Sequence, residues 1–96
     1  MRNEAKKMAE TLKMLANEHR LCILCELIDG PKTVGALGEK IDAISQSALS
    51  QHLALLKAHG MVQDHKSGQS VTYAIADRRV ESLISAMKRN YCDWTA

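Results

Sequence analysis

Phenylalanine is absent from this chain, and the other large aromatics amount to one Trp and two Tyr. That scarcity argues against a platform that stacks single-stranded nucleic acid or RNA. No apolar run is long enough to span a membrane. The charged start, Met1-Arg-Asn-Glu-Ala-Lys-Lys7, lacks the apolar stretch of a signal peptide. These absences assign the chain to the cytoplasm, where its three Cys stay reduced, and an odd number also argues against a disulfide framework. Repeats, low-complexity tracts and linkers are missing, so the 96 residues make one small domain, 1–96. A domain of this size gains stability by pairing with a second copy. No Ser/His/Asp set, phosphate loop or paired-carboxylate cleft is present, so no catalytic residue is assigned and no cofactor is expected. The net charge of +2 alone does not suggest a nucleic-acid partner. Its distribution does: residues 1–29 balance five basic with five acidic side chains, and no acid occurs between Asp42 and Asp64.

That acid-free stretch holds the most informative segment, Ser45-Gln-Ser-Ala-Leu-Ser-Gln-His-Leu-Ala-Leu-Leu-Lys-Ala-His59-Gly60. On a 3.6-residue helix, Ala48, Leu49, His52, Leu53 and Leu56 share one side, while Gln46, Ser47, Ser50, Gln51, Ala54 and Lys57 share the other. Ser45 is suited to cap the start and Gly60 to follow the end. Solvated helix faces usually carry Glu and Lys pairs; this one is short-chained and rich in amides and hydroxyls. Such groups suit base edges and phosphates in a DNA major groove, where Gln reads adenine in a bidentate way.

Around it the periodicity predicts an α-α-α-α-β-β-α order. A first helix over about 3–16 carries the stripe Ala5, Met8, Ala9, Leu12, Leu15 and Ala16. Asn17 caps a second helix to about Asp29, apolar on nearly all sides and hence central. Gly30-Pro31 ends it. Thr33 caps a third helix to about Lys40, with Val34, Leu37 and Ile41 inward, and Asp42-Ala-Ile44 turns into the helix at Ser45. Two short helices joined by a tight turn make a helix-turn-helix. After Gly60 the period becomes two. Met61–His65 and Ser70–Ile75 read as strands, with Val71, Tyr73 and Ile75 on one face and the turn at Lys66-Ser-Gly-Gln69. A hairpin after a reading helix is a wing, able to set Lys66 and Gln69 against the minor groove or phosphates. The last helix, about Arg78 to Trp94, carries Val80, Leu83, Ile84, Met87, Tyr91 and Trp94 in one stripe. With the first helix it is expected to form a two-fold homodimer interface.

Over roughly residues 8–92 the chain resembles the ArsR/SmtB family of bacterial winged helix-turn-helix repressors. The resemblance is carried by Leu15-Ala-Asn-Glu-His-Arg-Leu21, Val34-Gly-Ala-Leu37, Ser45-Gln-Ser-Ala-Leu-Ser-Gln-His-Leu53 with Leu56 and Gly60-Met-Val62, and Gly68-Gln69 followed by Tyr73. Cys25 and Tyr91-Cys92 make it similar to the BigR/SqrR/HlyU branch, whose members sense reactive sulfur or oxidants through two thiols or have lost inducer sensing. The resemblance implies a homodimer on a double-stranded DNA operator. Contacts are then expected from Ser45, Gln46, Ser47, Ser50, Gln51 and His52, with Lys66 and Gln69 from the wing. The family's metal sites are not matched: Ala36-Leu-Gly-Glu-Lys40 lacks the Cys-x-Cys of one, and the last helix offers Asp77, Glu81 and Asp93 without a His. His19, His59 and His65 show no ligand spacing.

The cysteines leave alternatives open. By pattern alone, Cys22 and Cys25 are small hydrophobes of a core helix. The resemblance implies instead that Cys25 and Cys92 react with a persulfide or oxidant and release DNA. Cys22, one turn before Cys25, is core filler or a third thiol. As a third thiol it suggests arsenite or a soft metal bound by Cys22, Cys25 and Cys92. A regulator without an inducer keeps the same reading head. Cys22-Ile-Leu-Cys25 also matches Cys-x-x-Cys, but it lies inside an apolar helix with no preceding strand, the wrong setting for a thiol-disulfide oxidoreductase.

Overall fold

The computed structural model describes residues 1–41 and 43–91. The elements are α1 (Arg2–Leu15), α2 (Glu18–Ile28), β1 (Lys32–Thr33), α3 (Val34–Lys40), α4 (Gln46–Ala58), β2 (Val62–Ser67), β3 (Ser70–Ile75) and α5 (Arg78–Tyr91). The chain is a mainly helical winged helix-turn-helix with a small antiparallel sheet. Expectations for Asp42, Cys92, Asp93 and Trp94 lie outside the described residues.

Local chemistry sets the boundaries. Asn17 Oδ1 accepts the N–H groups of His19 and Arg20 at 3.0 and 3.1 Å, and Thr33 Oγ1 accepts that of Ala36 at 3.0 Å. Both satisfy donors that a helix start leaves orphaned. At the far end of α4, Gly60 takes φ +72°. Its N–H donates to the Lys57 carbonyl at 2.9 Å, and that of Met61 to Leu56 at 3.0 Å. This is the two-bond Schellman closure, which needs the left-handed residue that glycine supplies. Buried Met61 then turns the chain into β2, and Ala76 N–H donates back to the Met61 carbonyl at 2.9 Å.

Two expectations need correction. The sheet has three strands, not two: Lys32 and Thr33 pair with Tyr73 and Thr72, giving the order β1-β3-β2. A two-residue strand carries no alternation to read, and its existence depends on β3 arriving beside it. The wing turn is also tighter than expected. Lys66 pairs with Val71 and Ser67 with Ser70, so the turn itself is Gly68-Gln69 with Gly68 at φ +62°. Lys66 therefore stands in the strand ladder.

The core is built from Ile23 and Leu24 of α2, Leu37 of α3, Leu49, Leu53 and Leu56 of α4, and Val80 and Ile84 of α5, all essentially without solvent contact. Each such aliphatic contributes about 1.5–3 kcal/mol relative to exposure. α2 is central, as expected, but not on every side: Cys22 is exposed and Cys25 half-buried. Cys22 is thus not core filler. The described residues contain no helix long and apolar enough to cross a membrane.

Candidate nucleic-acid interface

The site begins with one hydroxyl. Ser45 Oγ accepts the Ala48 N–H at 3.1 Å and starts α4. Leu49, Leu53 and Leu56 are buried, which fixes the rotation of the helix about its axis. Gln46, Ser47, Ser50, Gln51, Ala54 and Lys57 are then all exposed along its length. The result is a convex ridge of amide and hydroxyl groups with no carboxylate on it, of the width that a DNA major groove accepts.

Sequence reasoning missed how Lys57 is used. Its Nζ lies 3.0 and 3.1 Å from the two carboxylate oxygens of Asp64 on β2. The hydrogen bond holds Asp64 below the usual carboxylate range and Lys57 above the usual ammonium value. This pair clips the reading helix to the wing and removes Lys57 as a free cation. The signal was available, since Asp64 is the first acid after the acid-free stretch, but only the hairpin brings it back to α4.

The structure does not bring His52 together with the other expected contacts. Helical geometry puts it about 180° round α4 from the middle of the exposed ridge. It is half-buried, its ring centroid 5.7 Å from that of His19 on α2. Lys66 and Gln69 are exposed on the wing. Of the thiols, Cys25 packs beside the core, and its carbonyl accepts Lys88 Nζ of α5 at 3.2 Å. Among the described residues no group of three or more His, Cys, Asp and Glu side chains is arranged to hold a metal ion.

Away from the ridge, α1 and α5 flank an open cleft of about 720 Å³ lined by Met8, Leu12, Met61, Val80 and Leu83 together with charged groups such as Glu4 and Arg79. Met8 and Leu12 are 51% and 55% exposed.

Comparison with known proteins gives a consistent result. The sequence profile described as "Bacterial regulatory protein, arsR family" matches residues 17–64. The transcriptional activator HlyU of Vibrio cholerae is 42% identical over 92 residues, covering 96% of this chain and 84% of HlyU. The biofilm growth-associated repressor of Xylella fastidiosa is 30% identical, covering 96% and 80%. The solved structure of V. cholerae HlyU superposes with a TM-score of 0.91, spanning 96% of this chain and 99% of that one. The repressor BigR of X. fastidiosa superposes at 0.88 with 29% identity, spanning 100% and 94%.

Proposed function

This chain belongs to the ArsR family of bacterial regulatory proteins and is a transcriptional regulator, not an enzyme, and we propose that it works as a homodimeric repressor released from its operator by thiol chemistry. The observation that carries the DNA-reading part is the exposed, carboxylate-free Gln/Ser ridge of α4 above three fully buried leucines. Ser45, Gln46, Ser47, Ser50 and Gln51 read bases or hold phosphates. Lys66 and Gln69 add wing contacts. Two ridges related by a two-fold axis read half-sites about 10–10.5 base pairs apart. Selection from a random duplex library tests this. Enrichment of a two-fold symmetric sequence is expected; binding that follows salt alone, with no enrichment, refutes it.

The dimer reading rests on the uncovered apolar residues of α1 and the cleft beside α5. The release reading rests on Cys25, half-buried on α2 where Lys88 of α5 reaches its carbonyl; Lys88 precedes Cys92 by four residues. In the step proposed, the Cys25 thiolate takes the terminal sulfur of a persulfide, whose own thiolate leaves. The Cys92 thiolate then attacks the Cys25 sulfur and expels hydrosulfide, leaving a disulfide. The persulfide is the oxidant, so the electrons balance. Intact-mass spectrometry with glutathione persulfide, paired with operator anisotropy, is expected to show loss of two hydrogens and loss of binding. An unmodified protein, or a bridged one that still binds, overturns it. A second reading, release by arsenite on Cys22, Cys25 and Cys92, is favoured by the exposure of Cys22. It predicts loss of binding with arsenite that Cys22→Ser abolishes.

A further inference from the structure

Behind the reading helix two imidazoles lie together, and a guanidinium acts electrostatically on one of them, His52. The rings of His19 and His52 are 5.7 Å apart with planes tilted by 42°, within the range of favourable ring pairs. Both are half-buried, as is Arg20. Arg20 is tethered: its Nε donates to the Met14 carbonyl at 2.7 Å, and its backbone N–H to Asn17. His19 and Arg20 also sit in the first turn of α2, where the helix dipole is already positive. The nearby carboxylate, Glu18, is exposed and 3.9 Å from His19 Nε2.

The charged groups acting on His52 are Arg20 and His19. The other elements packed on α4 bring Glu39 and Lys40 from α3, both exposed, and Asp64 from β2, occupied by Lys57, with His65 and Lys66 exposed further along that strand. Nothing among these supplies His52 with a negative partner of its own. Burial first, then Arg20 and His19, hold its imidazole below the ordinary value.

We propose that His52 is a positioning residue for α4 and that its seam with His19 and Arg20 is proton-sensitive. With its imidazole neutral, His52 packs the reading helix onto α2; a positive charge on it, beside the tethered guanidinium, drives the two helices apart. The consequence for DNA rests on α4 being the reading helix, whereas the seam is a property of the folded chain alone. An imidazole that protonates less readily when folded leaves the unfolded chain with more bound protons. Stability therefore falls as pH drops below about 6.5.

The test uses the whole protein, H52Q and H19Q, at fixed salt, between about pH 7.5 and 5.5. Two quantities are followed: melting without DNA, and affinity for the duplex selected from the random library. The parent protein is expected to lose affinity on acidification, with a falling melting temperature. Both variants are expected to give flatter profiles. His59 and His65 remain in all three proteins, so their contributions cancel. Superimposable profiles overturn the proposal. So does affinity that rises on acidification in the parent alone, which makes the imidazoles phosphate contacts. Should H52Q fail to fold, H19Q decides by the same criteria. If no duplex is bound at any pH, the DNA reading falls, and the melting profiles still judge the seam.

Discussion

Helices α1 and α4 are nearly equal in length, 14 and 13 residues, yet their apolar sides meet different fates. On α4, Leu49, Leu53 and Leu56 are closed off by the rest of the chain, with Leu55 its one large hydrophobic left exposed. On α1 only Met14 and Leu15, at the C-terminal end, are buried, while Met8 and Leu12 stay open. α4 is held by its own chain and offers solvent a polar ridge. α1 is anchored at one end and offers solvent the apolar side chains of Met8 and Leu12. One helix is thus finished within the chain, and the other keeps the open apolar residues on which the proposed dimer rests.

The sharpest way to break this contrast is to truncate the same residue type in both helices. Leu53→Ala is expected to cost about 2–5 kcal/mol in urea unfolding, because it opens a cavity under the reading helix. Leu12→Ala is expected to cost far less when the monomer alone is measured. If the two cost the same, α1 is buried in some way the single chain does not reveal. Leu12→Glu is expected to weaken the dimer by about 2 kcal/mol, the scale of an interface hot spot, read by sedimentation equilibrium. An unchanged dissociation constant moves the interface elsewhere. Gln51→Ala is expected to cost about 1–3 kcal/mol of discrimination against non-operator DNA, with little effect on melting. Equal loss on every sequence makes Gln51 a phosphate contact instead. Smallest is Lys66→Ala, expected to lower the salt slope of binding by about one unit without changing sequence preference. A slope that does not move removes Lys66 from the phosphate contacts.

Most of the reading head was legible because its determinants are local. Asn17, Thr33 and Ser45 cap the helices they were expected to cap. The 3.6-residue pattern put the polar side of α4 outward before any fold was known. Glycine's tolerance of positive φ located Gly60 and Gly68. What escaped was contact between segments distant in sequence or too short to carry a period. β1 has two residues and exists through Tyr73 and Thr72 of β3. Lys57 was placed on the outer side of α4, but only the hairpin carried Asp64 to it. His52 was sorted correctly to the inner side of α4, but only packing supplied His19 and tethered Arg20 as its neighbours.

The same division holds for function. By itself the sequence determined the helix-turn-helix, its polar ridge and the hairpin that follows, since capping, periodicity and turn chemistry act over a few residues. Tertiary structure decided which charges are spent inside the subunit, which thiol faces solvent and which apolar stripe lacks a cover. Those outcomes depend on which surfaces meet when helices and hairpin pack around one core, and no local pattern encodes that.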